Sequence, residues 1–121
     1  MAIKKVLVVE DSATDRQALS EMLKKNGFEV YTAENGEEAV TKADQLKPDL
    51  ILMDIIMPGT NGFQATRVIT RNDATKHIPV IIISSKGQET DKIWGMRQGA
   101  RDYIVKPVQE AELLRKISAL A

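Results

Sequence analysis

Residues with reactive or charged side chains follow four of the most apolar segments of the sequence. Glu10 and Asp11 come directly after the first of these segments, and Asp54 stands inside the oily run Leu-Ile-Leu-Met-Asp-Ile-Ile-Met. Ser84 follows the next segment and Lys106 follows the last. If these segments are parallel β-strands, their carboxyl ends meet at one edge of the sheet, where ligands bind in open α/β proteins. We therefore expect three acids, a hydroxyl and a lysine to converge on one site.

Such a site needs a counter-charge. Burying an unpaired carboxylate such as Asp54 is unfavourable, and two carboxylates about 4 Å apart repel by about 4 kcal/mol at an effective dielectric constant near 20. Lys106 can offset one charge, and a divalent cation can offset the others. Because the ligands on offer are all oxygens, with no His or Cys nearby, they favour a hard ion such as Mg²⁺. The sequence thus predicts a magnesium–carboxylate site, the kind that supports phosphoryl transfer.

The segments that must position these residues alternate between strand and helix patterns. The predicted strands are Ile3–Val9, Phe28–Thr32, Leu50–Met53, Val80–Ile83 and Tyr103–Val105. The strongest of them are continuously apolar, which indicates strands that are covered on both faces.

Helical spacing of apolar residues fills the gaps between the strands. The predicted helices contain residues 18–25, begin at Asn35 and run to Leu46, span about 63–70 and about 89–98, and carry the last apolar residues, 113–120. Five strand–helix repeats with right-handed crossovers predict one doubly wound, five-stranded parallel α/β sheet with helices on both faces. We expect a single domain over residues 1–121, with no output domain.

The composition excludes several classes of function. Lys plus Arg and Asp plus Glu number 17 each, and this balance argues against a nucleic-acid-binding protein. The chain has no cysteine, which rules out disulfides, thiolate metal sites and a cysteine nucleophile. It shows neither a signal-peptide cleavage site nor a stretch of membrane-spanning length, so we expect a cytoplasmic protein with no membrane insertion.

Four motifs together resemble the receiver domains of two-component response regulators. They are residues 8–12 (Val-Val-Glu-Asp-Ser), 53–59 (Met-Asp-Ile-Ile-Met-Pro-Gly), 83–85 (Ile-Ser-Ser) and 103–107 (Tyr-Ile-Val-Lys-Pro). Each motif is weak alone, but the four in this order and spacing are highly specific, and the resemblance covers essentially the whole chain. It implies the flavodoxin-like receiver fold with strand order 2-1-3-4-5.

The resemblance also implies roles for the acids. Asp54 is expected to be the phosphoacceptor, which takes a phosphoryl group from the histidine of a kinase. Glu10, Asp11 and Asp54, with the backbone carbonyl of Ile56, are expected to hold Mg²⁺, and the metal screens the incoming phosphate. Glu10 departs from the aspartate that many receivers carry there, which does not threaten metal binding.

The remaining motif residues are expected to sense the phosphate. By resemblance, Lys106 pairs with one phosphoryl oxygen, the Ser84 hydroxyl bonds another, and Pro107 is a cis proline. When Ser84 moves toward the phosphate, Tyr103 is expected to rotate inward. This change would remodel the surface of the fourth helix, fifth strand and fifth helix, which a downstream protein partner reads.

Further segments resemble the PilH-type regulators of type IV pilus twitching motility, which are single-domain partners of a chemotaxis-like histidine kinase. These segments are residues 61–67, 88–95 and 97–103. We expect a monomer that acts either as a messenger to protein partners or as a phosphate sink for the kinase.

Three other functions stay open on the residues alone. A metal-dependent phosphatase with an aspartyl nucleophile usually needs a second acid two residues later, where this chain has Ile56. A nucleotide or flavin binder needs a phosphate cradle after the first strand, where Glu10 and Asp11 would repel phosphate. An unphosphorylated scaffold would leave the site residues without a use.

Individual residues have simpler interpretations as well. Glu10 and Asp11 could cap the first helix, and Tyr103 could be a packed strand residue without a switching role. Trp94 either faces a partner or covers a helix edge, and His77 is expected to be inert. An apolar Ile56 beside the site cannot hold a hydrolytic water, which predicts slow loss of the phosphoryl group.

Overall fold

The computed structural model describes residues 2–57, 59 and 61–120, and within them five strands alternate with five helices. The elements are β1 (Lys5–Val9), α1 (Ala13–Lys25), β2 (Glu29–Ala33), α2 (Gly36–Leu46), β3 (Leu50–Asp54), α3 (Gly62–Arg71), β4 (Val80–Ser84), α4 (Glu89–Arg97), β5 (Asp102–Val105) and α5 (Glu110–Ser118). The strands form one parallel sheet in the order β2-β1-β3-β4-β5. This confirms the predicted fold class and strand order. In the described part of the chain, no helix has the length and apolarity that crossing a bilayer requires.

The core lies in two layers, one on each face of the sheet. Alternate residues of each central strand point to opposite faces, so Val6 and Val8 of β1 pack with α1 and α5, whereas Leu7 and Val9 pack with α2 and α3. Leu52 and Met53 of β3 divide in the same way. The continuous apolar runs are therefore explained by strands that are buried on both faces, as predicted.

Helix starts and stops follow the expected local chemistry. Asn35 caps α2 by accepting a hydrogen bond from the backbone of Glu38, as predicted from its type. Ser12 caps α1 in the same way through Asp15. At the helix ends, Gly27 and Gly99 have φ values of +88° and +105°, which favour glycine.

Several predicted boundaries were wrong by one or two residues. β1 begins at Lys5 rather than Ile3, and β2 is shifted one residue toward Ala33. Asp54 and Ser84 were expected to follow their strands but are the last residues of β3 and β4. Each still pairs with the neighbouring strand in register, and this pairing extends the sheet into the site. Pro58, Thr60 and Ala121, which the sequence placed in a turn and at the end of the last helix, lie outside the described residues.

Candidate functional site

The parallel register brings the predicted site residues to one edge of the sheet. Val9 of β1 lies opposite Met53 of β3, so Glu10 and Asp54 follow side by side. On the other side of β3, β4 ends at Ser84, opposite Val105, and Lys106 comes next along the chain. The predicted convergence of acids, hydroxyl and lysine is therefore what the structure shows.

The three acids form a compact oxygen cluster. One carboxylate oxygen from each of Glu10, Asp11 and Asp54 lies within 4.8 Å of the other two. Glu10 is 1% exposed and Asp54 is 6% exposed, whereas Asp11 is open to solvent. Two buried carboxyl groups beside a third, exposed one form a pocket that a small cation can enter from the Asp11 side.

Glu10 carries the strain of this arrangement. Its Oε1 accepts a hydrogen bond from Lys106 at 2.6 Å, but its buried Oε2 has no partner among the described residues. Burial and the neighbouring Asp54 carboxyl raise the pKa of Glu10 to about 8, against the opposing pull of the Lys106 ammonium. Without a metal, the cluster relieves its repulsion by keeping a proton on this carboxyl group.

The Lys106 ammonium is shared among three acids. Its Nζ lies 2.6 Å from Glu10, 3.0 Å from Asp15 and 3.8 Å from Asp54. Burial alone would lower the pKa of Lys106, but its hydrogen bonds to Glu10 and Asp15 and the charge of Asp54 outweigh this effect and raise it. The Lys106–Pro107 peptide bond is cis, as predicted.

Two charged residues of the site were missed by the sequence analysis. Asp15, in the first turn of α1, pairs with Lys106. Arg16 donates to the carbonyl oxygens of Glu10 and Asp11 at 2.8 and 3.4 Å, which fixes the loop after β1. The signal available in the sequence was their place one helical turn beyond the acid pair, which brings them back over the strand end.

Ser84 and Tyr103 are joined through the loop that follows β4. The buried Ser84 hydroxyl accepts a hydrogen bond from the Lys86 backbone at 3.1 Å, and the Tyr103 hydroxyl donates to the Lys86 carbonyl at 2.5 Å. Tyr103 is 6% exposed, and its burial raises its pKa. The ring is therefore already packed inward in this structure.

The residues with uncertain roles lie at or beyond the rim. Ile56 is 49% exposed, and its backbone amide donates weakly to Asp54 at 3.3 Å. Trp94 is equally exposed and stands edge-on to Phe63, with 6.5 Å between ring centroids, so it covers a helix edge and also faces solvent. His77 is exposed and lies before β4, at the opposite end of the strands from the acids.

Magnesium fits the acid cluster on the structure's own chemistry. The ligands are hard oxygens from three carboxyl groups, and the buried Glu10 Oε2 lacks the partner that a cation would supply. Exposed Asp11 leaves room for the waters that Mg²⁺ usually retains. The Ile56 carbonyl, the fourth predicted ligand, stays a prediction.

The raised pKa of Glu10 predicts that the metal-free protein loses stability as pH rises. Between the ordinary glutamate pKa of 4.5 and about 8, the folded state keeps a proton that the unfolded chain releases. The contribution is fully present below pH 4.5 and is lost as pH rises toward 8, with a slope of up to about 1.4 kcal/mol per pH unit. Thermal unfolding in EDTA measures it, with Glu10→Gln as the control.

Added Mg²⁺ should oppose this loss, because the metal competes with the proton and binds better at higher pH. Wild type and Glu10→Gln changing in parallel across the range would contradict the assignment of the proton to Glu10.

Comparison with known proteins agrees with this geometry. A model of the response regulator receiver domain matches residues 6–118. The chain belongs to the response regulator receiver family, whose members accept phosphoryl groups from histidine kinases, and it is a signalling protein rather than an enzyme.

Two relatives and one solved structure illustrate the match. PilH of Pseudomonas aeruginosa is 56% identical over 116 residues, which are 96% of each chain. PhoB of Escherichia coli is 38% identical over 117 residues, which are 97% of this chain but only 51% of PhoB. A chain of the CheX–CheY–BeF3–Mg²⁺ complex of Borrelia burgdorferi superposes with a TM-score of 0.91 at 32% identity, over 97% of this chain and 88% of that one. The predicted family and its PilH-type subtype are confirmed.

Proposed function

We propose that this protein is a switch in which Asp54 accepts a phosphoryl group from a kinase histidine. The observation that carries the proposal is the buried Asp54 carboxylate beside Lys106, within a cluster that has an unpartnered acid oxygen. Mg²⁺ would be held by Glu10, Asp11, Asp54 and the Ile56 carbonyl. When bound, it would neutralise charge on the incoming phosphoryl group, as it does in phosphoryl transfer generally.

The transfer itself uses one carboxylate oxygen of Asp54. That oxygen attacks phosphorus, the bond from phosphorus to the kinase imidazole nitrogen breaks, and the histidine keeps the electron pair. Because Asp54 closes β3 and is hydrogen-bonded in the sheet, its carboxylate is held in place for attack. Lys106 is within 3.8 Å and needs only a side-chain rotation to reach the new phosphoryl oxygens.

Ser84 and Tyr103 are proposed to pass the event outward. To bond a phosphoryl oxygen, the Ser84 hydroxyl must change its contact with the backbone of Lys86, whose carbonyl also holds the Tyr103 hydroxyl. A shift of Lys86 therefore acts on both residues. A ligand that favours one loop arrangement changes the populations of both, and the surface formed by α4, β5 and α5 is where a protein partner would read them.

The proposed setting is a chemotaxis-like kinase pathway that controls twitching by type IV pili, in the cytoplasm and with the protein as a monomer. The 56% identity to PilH supports this setting. Within it, the protein acts as a messenger that binds a partner or as a phosphate sink. Competition for a phosphorylated chemotaxis-type kinase and pull-downs with and without beryllofluoride distinguish the two, because only a messenger gains a partner when activated.

The proposed reaction is tested by incubation with acetyl phosphate, which donates phosphoryl groups without a kinase. Intact-mass spectrometry should show one added phosphoryl group with Mg²⁺ and none in EDTA. Equal labelling in EDTA would remove the metal from the proposal.

Ile56 predicts a long-lived phosphoryl group, because an exposed apolar side chain at the rim cannot hold a water for attack on phosphorus. Ile56→Asn should shorten the lifetime about tenfold, equivalent to about 1.4 kcal/mol in the hydrolysis barrier. Release of inorganic phosphate after removal of the donor measures it. Val68→Asn, a similar change on the exposed side of α3, is the control. A wild-type half-life of seconds or less in Mg²⁺ would refute the prediction.

A further inference from the structure

Asp15 holds the Lys106 ammonium away from the phosphoacceptor. The Lys106 Nζ is 3.0 Å from the Asp15 carboxylate but 3.8 Å from that of Asp54. Asp15 lies on α1 and is about half exposed, and it is not part of the acid cluster that fits a metal. Its pairing with Lys106 joins residues 91 positions apart in the chain.

We propose that Asp15 is a positioning residue that competes with the phosphoryl group for Lys106 and so weakens the phosphorylated state. The proposal rests on the proposed function of Asp54 and assigns a regulatory partner within that site. It concerns the position of an ammonium group between two acceptors, and it holds whichever kinase supplies the phosphoryl group.

The competition follows from the donors that Lys106 has. An ammonium group offers three hydrogens, and two of them are used on Glu10 and Asp15. A metal bound at the cluster would draw on Glu10, which leaves Asp15 as the acid that keeps hold of Lys106 from outside the cluster. No other cation pairs with the Asp15 carboxylate within the described residues, so that ion pair is lost or stretched when Lys106 turns to a phosphoryl oxygen.

The backbone of Lys106 cannot share this movement. Its amide donates to the Ser84 carbonyl at 2.8 Å, which ties the end of β5 to the end of β4. The side chain alone must turn, and every contact that it keeps with α1 opposes the turn. Because the Asp15 carboxylate is half exposed, solvent weakens the pair, and we expect an effect of about two- to fivefold on phosphoryl-analogue affinity.

The test is a titration of the Mg²⁺-loaded protein with beryllofluoride, followed by fluorine NMR of the bound analogue. Asp15→Asn should bind it about two- to fivefold more tightly than wild type. Glu34→Gln is the matched control, since it removes one negative charge that pairs with Arg16 near the same loop and does not contact Lys106. Its affinity should change less than that of Asp15→Asn.

A double-mutant cycle shows whether Asp15 acts through Lys106. In a Lys106→Gln background, Asp15→Asn should no longer tighten binding. Unchanged or weaker binding in Asp15→Asn, equal tightening in Glu34→Gln, or a persistent gain in the Lys106→Gln background would each overturn the proposal.

Two further measurements separate other causes of a change in affinity. Asp15 also lies in the first turn of α1, where an acid stabilises the helix, but a loss of thermal stability alone would not tighten binding. Asp15→Ala repeats the test without an amide that could still accept from Lys106. If Asp54→Ala binds the analogue as wild type does, the proposed function fails, whereas a normal Asp54 dependence with no Asp15 effect refutes only the present proposal.

Discussion

Asp54→Asn is expected to lose at least about a hundredfold in the rate of labelling by acetyl phosphate, equivalent to about 2.7 kcal/mol in the barrier. The amide has no anionic oxygen to attack phosphorus, and Asp54 is the buried acid that lies between the metal ligands and Lys106. Time-resolved intact-mass spectrometry with Mg²⁺ measures the loss.

The same substitution should not unfold the protein. It removes one of three clustered negative charges, so the repulsion that raises the pKa of Glu10 is relieved. Thermal unfolding without metal should show stability equal to or above that of wild type. Asp73→Asn, at an exposed acid paired only with Lys76 among the described residues, should label normally. Wild-type labelling of Asp54→Asn would contradict the assignment.

Gly62→Ala is expected to cost about 3 kcal/mol of unfolding free energy, at the upper end of the usual overpacking range. A methyl group at Gly62 would lie 2.1 Å from the Asp54 carbonyl oxygen and 2.6 Å from the Ile55 Cα. Both are backbone atoms at the end of β3, so relief requires that α3 or the strand end moves. Urea unfolding measures the loss, and Mg²⁺ affinity should fall with it because Asp54 is displaced.

Gly27→Ala is the matched control for this prediction. Gly27 has a φ of +88°, but an added methyl group would meet nothing within 4 Å. It should therefore lose only the conformational advantage of glycine, about 1 kcal/mol. Equal losses in the two variants would show that the contact between Gly62 and the end of β3 is looser than described.

The fold was predictable because its signals are local and agree with one another. Continuous apolar strands require cover on both faces, and capping residues such as Asn35 begin helices where the spacing changes. The converging site followed from the same logic, since parallel strands bring their carboxyl ends together. Residue type and strand position were sufficient to bring Glu10, Asp54 and Ser84 to one place.

The partners within the site were less predictable, because they depend on how distant elements pack. The contacts of Lys106 with Asp15 and Glu10 join residues 91 and 96 positions apart, and no local pattern specifies such distances. The inward position of Tyr103 likewise depends on the carbonyl of Lys86, a backbone atom without a signature in the sequence. Strand ends were misjudged at Asp54 and Ser84 because a polar residue looks like the end of an apolar run even where it still pairs in the sheet.

The most direct test of the account is to locate the phosphoryl group chemically. An aspartyl phosphate is reduced by borohydride to homoserine, so protein treated with acetyl phosphate, reduced and digested can be mapped by tandem mass spectrometry. We predict homoserine at position 54 alone, formed when Mg²⁺ is present and absent in EDTA. Homoserine at Asp11 or another acid, or none in magnesium, would contradict the central claim that Asp54 is the metal-assisted phosphoacceptor.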